Sequence, residues 1–435
     1  MSTTGSAPTH AATQPGGRLL PAVLLLLTVF GPISMDLYLP LLPALTLELD
    51  AATATAQLTV TACLIGLALG QLVAGPLSDR FGRRRPLLIG VVAYVAASAW
   101  CAIAPSVELL IVARLVQGVA GGVGLVIAQA AGRDLYSGGA LIRYFGRVTV
   151  LSGLAAIVGP LAGGLLATVT DWRGLFVFLA AVGGAILLVV ALRFSETLPS
   201  DHRTTGGFAH MAAAYRTLLS DRRFVGAVLV SGFVSAALFA YLAGATYVLQ
   251  GIYGLTPQQY ALAFGLNSAG FMVFGWLAAR ASERWSLHGT LVAGLVMCAL
   301  GAAGLLASAL LALPVAVVIV SLLTMVSGVA VTTPPTTTIA LAGFPQIAGT
   351  AASLLGMARF AFGGFAAPLV GLAGAGTMLP LGIVTVAGIA LAAASVALLA
   401  ARRAPAAALP GTDGASAPLD PDPSADGALS TAAGR

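Results

Sequence analysis

Lysine is absent from this chain of 435 residues, and charge of either sign is scarce, at 8% of positions. Soluble domains carry about 25% charged residues, so with 58% apolar residues an ordinary soluble fold is excluded. The formal net charge of +6 rests on arginine alone, and the arginines are spread over loops rather than gathered in a patch, so nucleic acid is not an expected partner. Cysteine is rare too. Cys63, Cys101 and Cys298 each stand alone inside apolar runs, with no CxxC spacing and no neighbouring histidine. That argues against disulfides and metal, and favours small buried apolar residues. His10, His202, His210 and His288 fall in tails and loops, so no zinc site is expected. There is no GxxxxGK[ST] loop, which excludes an ATP-driven pump within the chain. The lack of HExxH or of a Ser/His/Asp or His-rich intramembrane set argues against a membrane enzyme, and no cofactor is expected.

What the chain does have is long apolar runs. They lie near 19–43, 53–77, 86–104, 108–132, 144–168 and 174–193, then near 223–249, 257–280, 289–309, 314–341, 348–374 and 377–401. About 20 residues cross a bilayer as a helix, so these read as twelve spans of an all-α polytopic membrane protein. Residues 1–17 read as a disordered tail, 18–193 as one six-helix bundle, and 194–222 as the central loop. Residues 223–403 read as a second bundle, and the Pro/Ala/Ser/Asp-rich 404–435 as a disordered tail. The run after Arg18 is too long for a signal-peptide core and has no evident Ala-x-Ala site, so it is expected to be a retained first span. The end of the central loop, Met211 to Arg223, reads equally as a helix along the membrane surface or as a linker.

Of the 21 arginines, 18 fall on one side of this layout, Arg173 falls on the other, and Arg114 and Arg359 lie within spans. The positive-inside rule then puts both termini in the cytoplasm. The densest cluster is Gly75-Pro76-Leu77-Ser78-Asp79-Arg80-Phe81-Gly82-Arg83-Arg84-Arg85, between the second and third spans. Such charge cannot sit in hydrocarbon, so the stretch must be a tight loop at one membrane face. Ser78-Asp79-Arg80-Phe81 recurs as Ser282-Glu283-Arg284-Trp285 at a shift of 204 positions, which also carries Gly66 onto Gly270. The halves therefore read as repeats, with a substrate path between them.

Two charges sit inside spans of the first half. Asp36, in Ser34-Met35-Asp36-Leu37-Tyr38-Leu39-Pro40, shares a helical face with Pro40 and Pro43. An intramembrane acid is expensive, and it must face protein or water, most often as a proton relay; the bland reading is an aspartate locked to an arginine. Arg114 in the fourth span lines up with Gln117, Gly118 and Gly121. At about 1.5 Å per residue, Asp36 and Arg114 lie at a matched depth, on the order of 10 Å from the outer face, which invites a pair. In the fifth span Ala155, Gly159 and Gly163 form a small-residue ridge and Pro160 bends the backbone.

The arginine-rich loop, with its two glycines and Asp-Arg pair, resembles the loop between the second and third helices of major facilitator transporters. Gly159-Pro160-Leu161-Ala162-Gly163-Gly164 resembles the antiporter signature of drug:proton exporters. Asp36-Leu37-Tyr38-Leu39-Pro40, Arg114 with Gln117-Gly118, Arg133-Asp134-Leu135 and Trp172-Arg173 resemble the bicyclomycin/chloramphenicol resistance (Bcr/CflA) branch. So do Tyr253-Gly254-Leu255-Thr256-Pro257-Gln258-Gln259-Tyr260, Phe264-Gly265-Leu266-Asn267, and Phe344-Pro345 with Ala348-Gly349-Thr350-Ala351, over roughly 20–400.

The resemblance implies the major facilitator fold and export of small, mostly apolar organic compounds in exchange for protons. It implies proton coupling at Asp36 and Arg114, and a conformational latch built on Gly75, Asp79, Arg80, Gly82, Arg83 and Arg84. An inner-membrane, monomeric protein surrounded by lipid is the matching expectation. Gly75 is expected to allow close packing, Asp79 to face the start of the eleventh helix near Gly349, and Arg83 to Arg85 to enforce topology. The substrate cavity is expected to involve Asp36, Arg114, Gln117, Tyr241, Tyr247, Asn267 and Arg359, with Phe233 and Phe239 as further wall candidates. Arg359 departs from the branch's usual residue, and Thr332-Thr333-Pro334-Pro335-Thr336-Thr337-Thr338 suggests a hinge, a gate or a frayed end. Export of an endogenous metabolite or amino-acid derivative, or symport or uniport on the same fold, are the other readings.

Overall fold

A computed structural model describes residues 19–399 except 137, 200–202, 204–206, 345–346, 373 and 375. Both expected tails, 1–17 and 404–435, lie outside the described residues, as does Pro345. The described chain is helical throughout. The first half comprises α1 (Leu19–Asp36), α2 (Leu42–Glu48), α3 (Thr53–Phe81), α4 (Arg84–Ala102), α5 (Val107–Leu135), α6 (Gly138–Leu166) and α7 (Trp172–Arg193). After α8 (Gly207–Ser220) the second half comprises α9 (Arg222–Thr246), α10 (Pro257–Arg284), α11 (Leu287–Leu311), α12 (Val315–Leu341), α13 (Ala348–Val370) and α14 (Leu379–Leu399).

The first span is α1 and α2 in series, joined by a 3-10 turn at Leu39–Leu41. Eleven helices among the described residues are long and apolar enough to cross a membrane. The fifth span is α6, uncharged over 148–166. The protein is thus an all-α polytopic membrane protein of two six-helix bundles.

The repeat suspected from Gly66 and Gly270 is visible in the packing. In the first half α3 packs on α5, α4 on α5 and α7, and α1 on α5, α6 and α7. The second half repeats this with α10 on α12, α11 on α12 and α14, and α9 on α12, α13 and α14. A Cβ on Gly66 would lie 2.3 Å from the Leu115 carbonyl oxygen of α5, and one on Gly270 would lie 2.4 Å from Leu323 of α12. Both glycines therefore mark the same crossing in their own half: at Gly66 the missing side chain lets the backbones meet, and at Gly270 it makes room for the Leu323 and Ser327 side chains. Gly118 completes the first crossing: its Cβ would lie 2.2 Å from the Cys63 carbonyl oxygen.

Between halves α3 packs on α13 and α6 on α10. The α3–α13 seam runs from Gly371 against Gln57 and Ala54, past Gly364 against Ile65, to Gly356 against Gln71. Beyond it, a Cβ on Gly75 would meet nothing within 4 Å. The close packing expected at Gly75 is thus not made here, because the seam stops about one helical turn earlier.

Four hydrogen bonds tie the halves at the end opposite the arginine-rich loop. They join Thr46 with Tyr247 (2.7 Å), Thr246 with the Leu39 carbonyl (3.0 Å), Gln250 with the Pro40 carbonyl (3.3 Å) and Gln57 with the Ala243 carbonyl (3.2 Å). Three of them use the broken part of the first span or the six-residue π-helical turn Tyr247–Ile252 that ends the α9 span.

The proline pair does not fray α12, which continues to Leu341. Proline at 334 and 335 removes two backbone donors. Around them, hydroxyls of Thr332, Thr333, Thr336, Thr337 and Thr338 bond back to the carbonyls of Val329, Thr332, Thr333 and Pro334, at 2.6–3.0 Å. The three cysteines are free and buried.

The glycine crossings give a direct stability test. Gly66→Ala should cost roughly 1–3 kcal/mol, since its methyl meets backbone rather than a side chain that can move. Gly75→Ala should leave the thermal midpoint in detergent unchanged. Equal midpoints for the two variants would contradict this packing.

Candidate functional site

The α1 helix ends at Asp36, and its last backbone bonds run from Leu37 N–H to the Ile33 carbonyl and from Tyr38 N–H to the Met35 carbonyl. Residues two apart on a helix point about 200° apart, so Asp36 and Tyr38 face nearly opposite ways. Asp36 opens on a cavity of about 210 Å3 lined by both halves. Tyr38 instead closes over Arg114, with its ring centroid 4.7 Å from the guanidinium carbon.

Around that cavity stand Pro32, Met35 and Asp36 of α1, Leu67 of α3, and Leu238, Phe239, Tyr241 and Leu242 of α9. Phe264, Asn267, Ser268 and Phe271 of α10, Val326 of α12, and Arg359 and Phe360 of α13 complete it. Asn267 donates to the Tyr241 hydroxyl at 2.9 Å, and the Tyr241 ring stacks on Phe264 with centroids 5.7 Å apart. Among the described residues, neither Asp36 nor Arg359 has a hydrogen bond or an ion pair, with each other or with any third group.

Of the seven residues expected at the cavity, Asp36, Tyr241, Asn267 and Arg359 line it, while Arg114, Gln117 and Tyr247 do not. Arg114 is fully buried between the rings of Tyr38 and Phe176 and donates to Gln117 Oε1 at 2.7 Å. Gln117 in turn donates to Ser98 at 2.8 Å. The expected Asp36–Arg114 pair is not formed, because the carboxylate points away from Arg114 and the Tyr38 ring, two residues on, covers the guanidinium instead. Tyr247 belongs to the seal between the halves. Phe233 packs edge-on against Phe362, whereas Phe239 does reach the cavity.

Phe264, Ser268 and Phe271 were not expected there. With Asn267 they sit at i, i+3, i+4 and i+7 on α10, a one-face spacing that the sequence does carry.

The glycines after α1's break explain its position. A Cβ on Gly159 would lie 2.8 Å from the Asp36 Cβ, and one on Gly163 would lie 2.2 Å from the Leu37 carbonyl oxygen. Gly164 faces the start of α10, where a Cβ would lie 2.7 Å from Ala261. Pro160 is buried between them. The Gly-Pro-x-x-Gly-Gly run is therefore the seat of the Asp36 turn, and also a contact between the halves.

At the arginine-rich loop, Gly82 has φ of +85° and a Cβ there would lie 2.3 Å from Glu196, so only glycine fits. Arg83 is no mere topology marker. It is 6% exposed and bonds Asp134 (2.9 Å), Ser78 (2.7 Å) and Asp79. Asp79, in the last turns of α3, has Arg83 as its described partner, while the side chains at the α13 start beside Gly349 lie outside the described residues. Arg80 lies over the Phe81 ring, and Arg84 donates to the Ala191 carbonyl at 3.0 Å.

Glu196, just after α7, accepts the backbone N–H groups of Arg83 (2.7 Å), Arg84 (3.3 Å), Thr197 (3.1 Å) and Leu198 (3.1 Å). Burial alone would raise its pKa, but these donors outweigh burial and hold it below the ordinary glutamate value. A carboxylate depressed in this way stabilises the fold above its unfolded pKa and stops doing so as pH falls through the folded one. Glu196→Ala should therefore lower the thermal midpoint at neutral pH, and that gap should close as pH falls below the ordinary value of 4.5. A gap independent of pH would reject the ionised anchor.

The sequence profile of the Major Facilitator Superfamily matches residues 24–368. The chain is similar to YdgK of Bacillus subtilis, an uncharacterized MFS-type transporter, at 34% identity over 362 residues, 82% of this chain and 89% of that one. It is similar to a bicyclomycin resistance protein homolog of Haemophilus influenzae at 29% identity, covering 79% and 87% of the two chains. The xylose transporter XylE from E. coli superposes with a TM-score of 0.66 at 16% identity over 86% of this chain and 95% of that one, a likeness of fold. Profile, relatives and the two-bundle fold agree: the chain belongs to the Major Facilitator Superfamily and is a membrane transporter, not an enzyme.

Proposed function

We propose that this protein exports small organic compounds, antibiotics among them, in exchange for protons by alternating access, and that Asp36 carries the proton. One observation carries the reading: a lone carboxylate, without a described partner, opens on an aromatic-lined cavity between the two halves. A charge held there without a partner is costly, and a proton or a ligand is what relieves it. Mutual exclusion at one carboxylate is also the simplest coupling, since each species then binds more weakly in the presence of the other.

The rest of the site supports this assignment. The first-span break and the glycines that seat it put Asp36 on the moving interface, so rocking of the halves changes what surrounds it. Arg114 acts as a fixed positive charge behind Tyr38, on the first-half side of the same break. With the arginine-rich loop cytoplasmic, as the positive-inside rule favours, the sealed end faces outward and the cavity belongs to an outward-closed state. In that state Asp79 rests on Arg83, and the latch across the halves is left for the opposite state. A bicyclomycin resistance homolog among the relatives favours antibiotics as cargo, with one chain forming the complete path in the inner membrane.

In proteoliposomes with an imposed proton gradient, the wild type should accumulate labelled bicyclomycin at least about tenfold over Asp36→Asn, and a protonophore should remove the difference. Asp36→Asn should keep the wild-type thermal midpoint. Undiminished uphill transport by the variant would move proton coupling to another residue.

A further inference from the structure

The cavity holds two opposite charges that do not use one another. Asp36 comes from α1 of the first half and Arg359 from α13 of the second, and both line the same space without a described partner. Their side chains form no ion pair within 4.0 Å. Asn267, 1% exposed, donates to Tyr241 and helps fix that ring in the wall. The remaining wall is apolar, with Phe239, Phe264 and Phe360 among its rings.

Each class of ligand meets this set differently. A neutral compound leaves both charges desolvated and unpaired. A cation satisfies Asp36 but brings like charge to Arg359, and an anion does the reverse. Only a molecule bearing both signs pairs each group, because removing one partner of a buried pair is what costs most. We propose that the substrates this cavity prefers are zwitterions with an apolar or aromatic body, of the amino-acid-derivative class. Their ammonium group lies at Asp36, and their acid group at Arg359.

The proposal rests on the antiport reading above and deepens it. An ammonium group and a proton compete for Asp36, which is the exclusion that exchange requires. The acid group meanwhile adds affinity at Arg359 without entering that competition. Other ionisable groups within electrostatic reach of Asp36 are Cys63 on α3, Tyr241 on α9 and Tyr260 on α10, while Arg114 lies behind Tyr38. None of these side-chain types ordinarily titrates below about pH 8, so a loss of affinity on acidification below that reports on Asp36.

The test is equilibrium binding to the purified full-length chain in detergent, using phenylalanine, phenethylamine, 3-phenylpropanoate and 3-phenylpropan-1-ol. These share one aromatic body and differ in charge. Phenylalanine should bind at least about tenfold more tightly than each of the others, a difference of about 1.4 kcal/mol. Arg359→Gln should lower phenylalanine to the level of phenethylamine without weakening phenethylamine, and Arg359→Lys should restore part of the preference. Asp36→Asn should lower phenylalanine to the level of 3-phenylpropanoate and abolish the loss of affinity on acidification. Equal affinities across the four probes would overturn the proposal, as would Arg359→Gln weakening phenylalanine and phenethylamine alike. Because the readout is binding at equilibrium, it succeeds or fails independently of whether vesicles accumulate bicyclomycin.

Discussion

A carboxylate inside hydrocarbon must be given water, a proton or a partner. Much of this structure follows from how Asp36 is provided for. The first span stops being a regular helix at that residue and resumes three residues later as a 3-10 turn. The break would crowd an ordinary neighbour, so α6 offers Gly159 against Asp36 and Gly163 against the Leu37 carbonyl. Carbonyls in the irregular segment do further work: those of Leu39 and Pro40 accept hydrogen bonds from Thr246 and Gln250 of the opposite half. The irregular segment that follows the acid therefore supplies the acceptors that close the far end.

The arginine-rich loop acts at the other end by different physics. Its arginines are not equivalent. Arg83 is buried among Asp79, Asp134 and Ser78, while Arg80 and Arg84 stay exposed. Glu196 gathers the backbone donors of the α4 start and so ties the end of α7 to the loop. All these contacts lie within the first half. They tie the loop to α5 and to the end of α7.

Much of the architecture was legible because its signals are extended ones. Apolar run length, arginine placement and a shift of 204 positions act over whole spans, and the packing of Gly66 and Gly270 matches them. Asp36, Tyr241, Asn267 and Arg359 were legible as cavity residues because a polar group in a span has few other places to go. The pairing of Asp36 with Arg114 was inferred from depth alone. Depth along a helix says nothing about azimuth, and azimuth sends the carboxylate one way and Tyr38, two residues on, the other. Tyr247 misled for a related reason: an aromatic residue beside a cavity helix was read as wall, while its hydroxyl reaches Thr46 across the seal. Gly75 shows a third cause: the α3–α13 seam ends about one turn before it, and the point where two helices part is set by their crossing rather than by local sequence.

The central claim is that Asp36 is an unpaired, protonatable acid reached through the cavity. Carbodiimide labelling tests it most directly, because the reagent modifies a carboxyl in its protonated form in apolar surroundings. The full-length chain would be labelled over a range of pH and the site mapped by mass spectrometry. The account predicts modification at Asp36 that declines as pH rises and is suppressed by a bound substrate. An Asp36 that stays unmodified at every pH, in a protein that labels elsewhere, would contradict it.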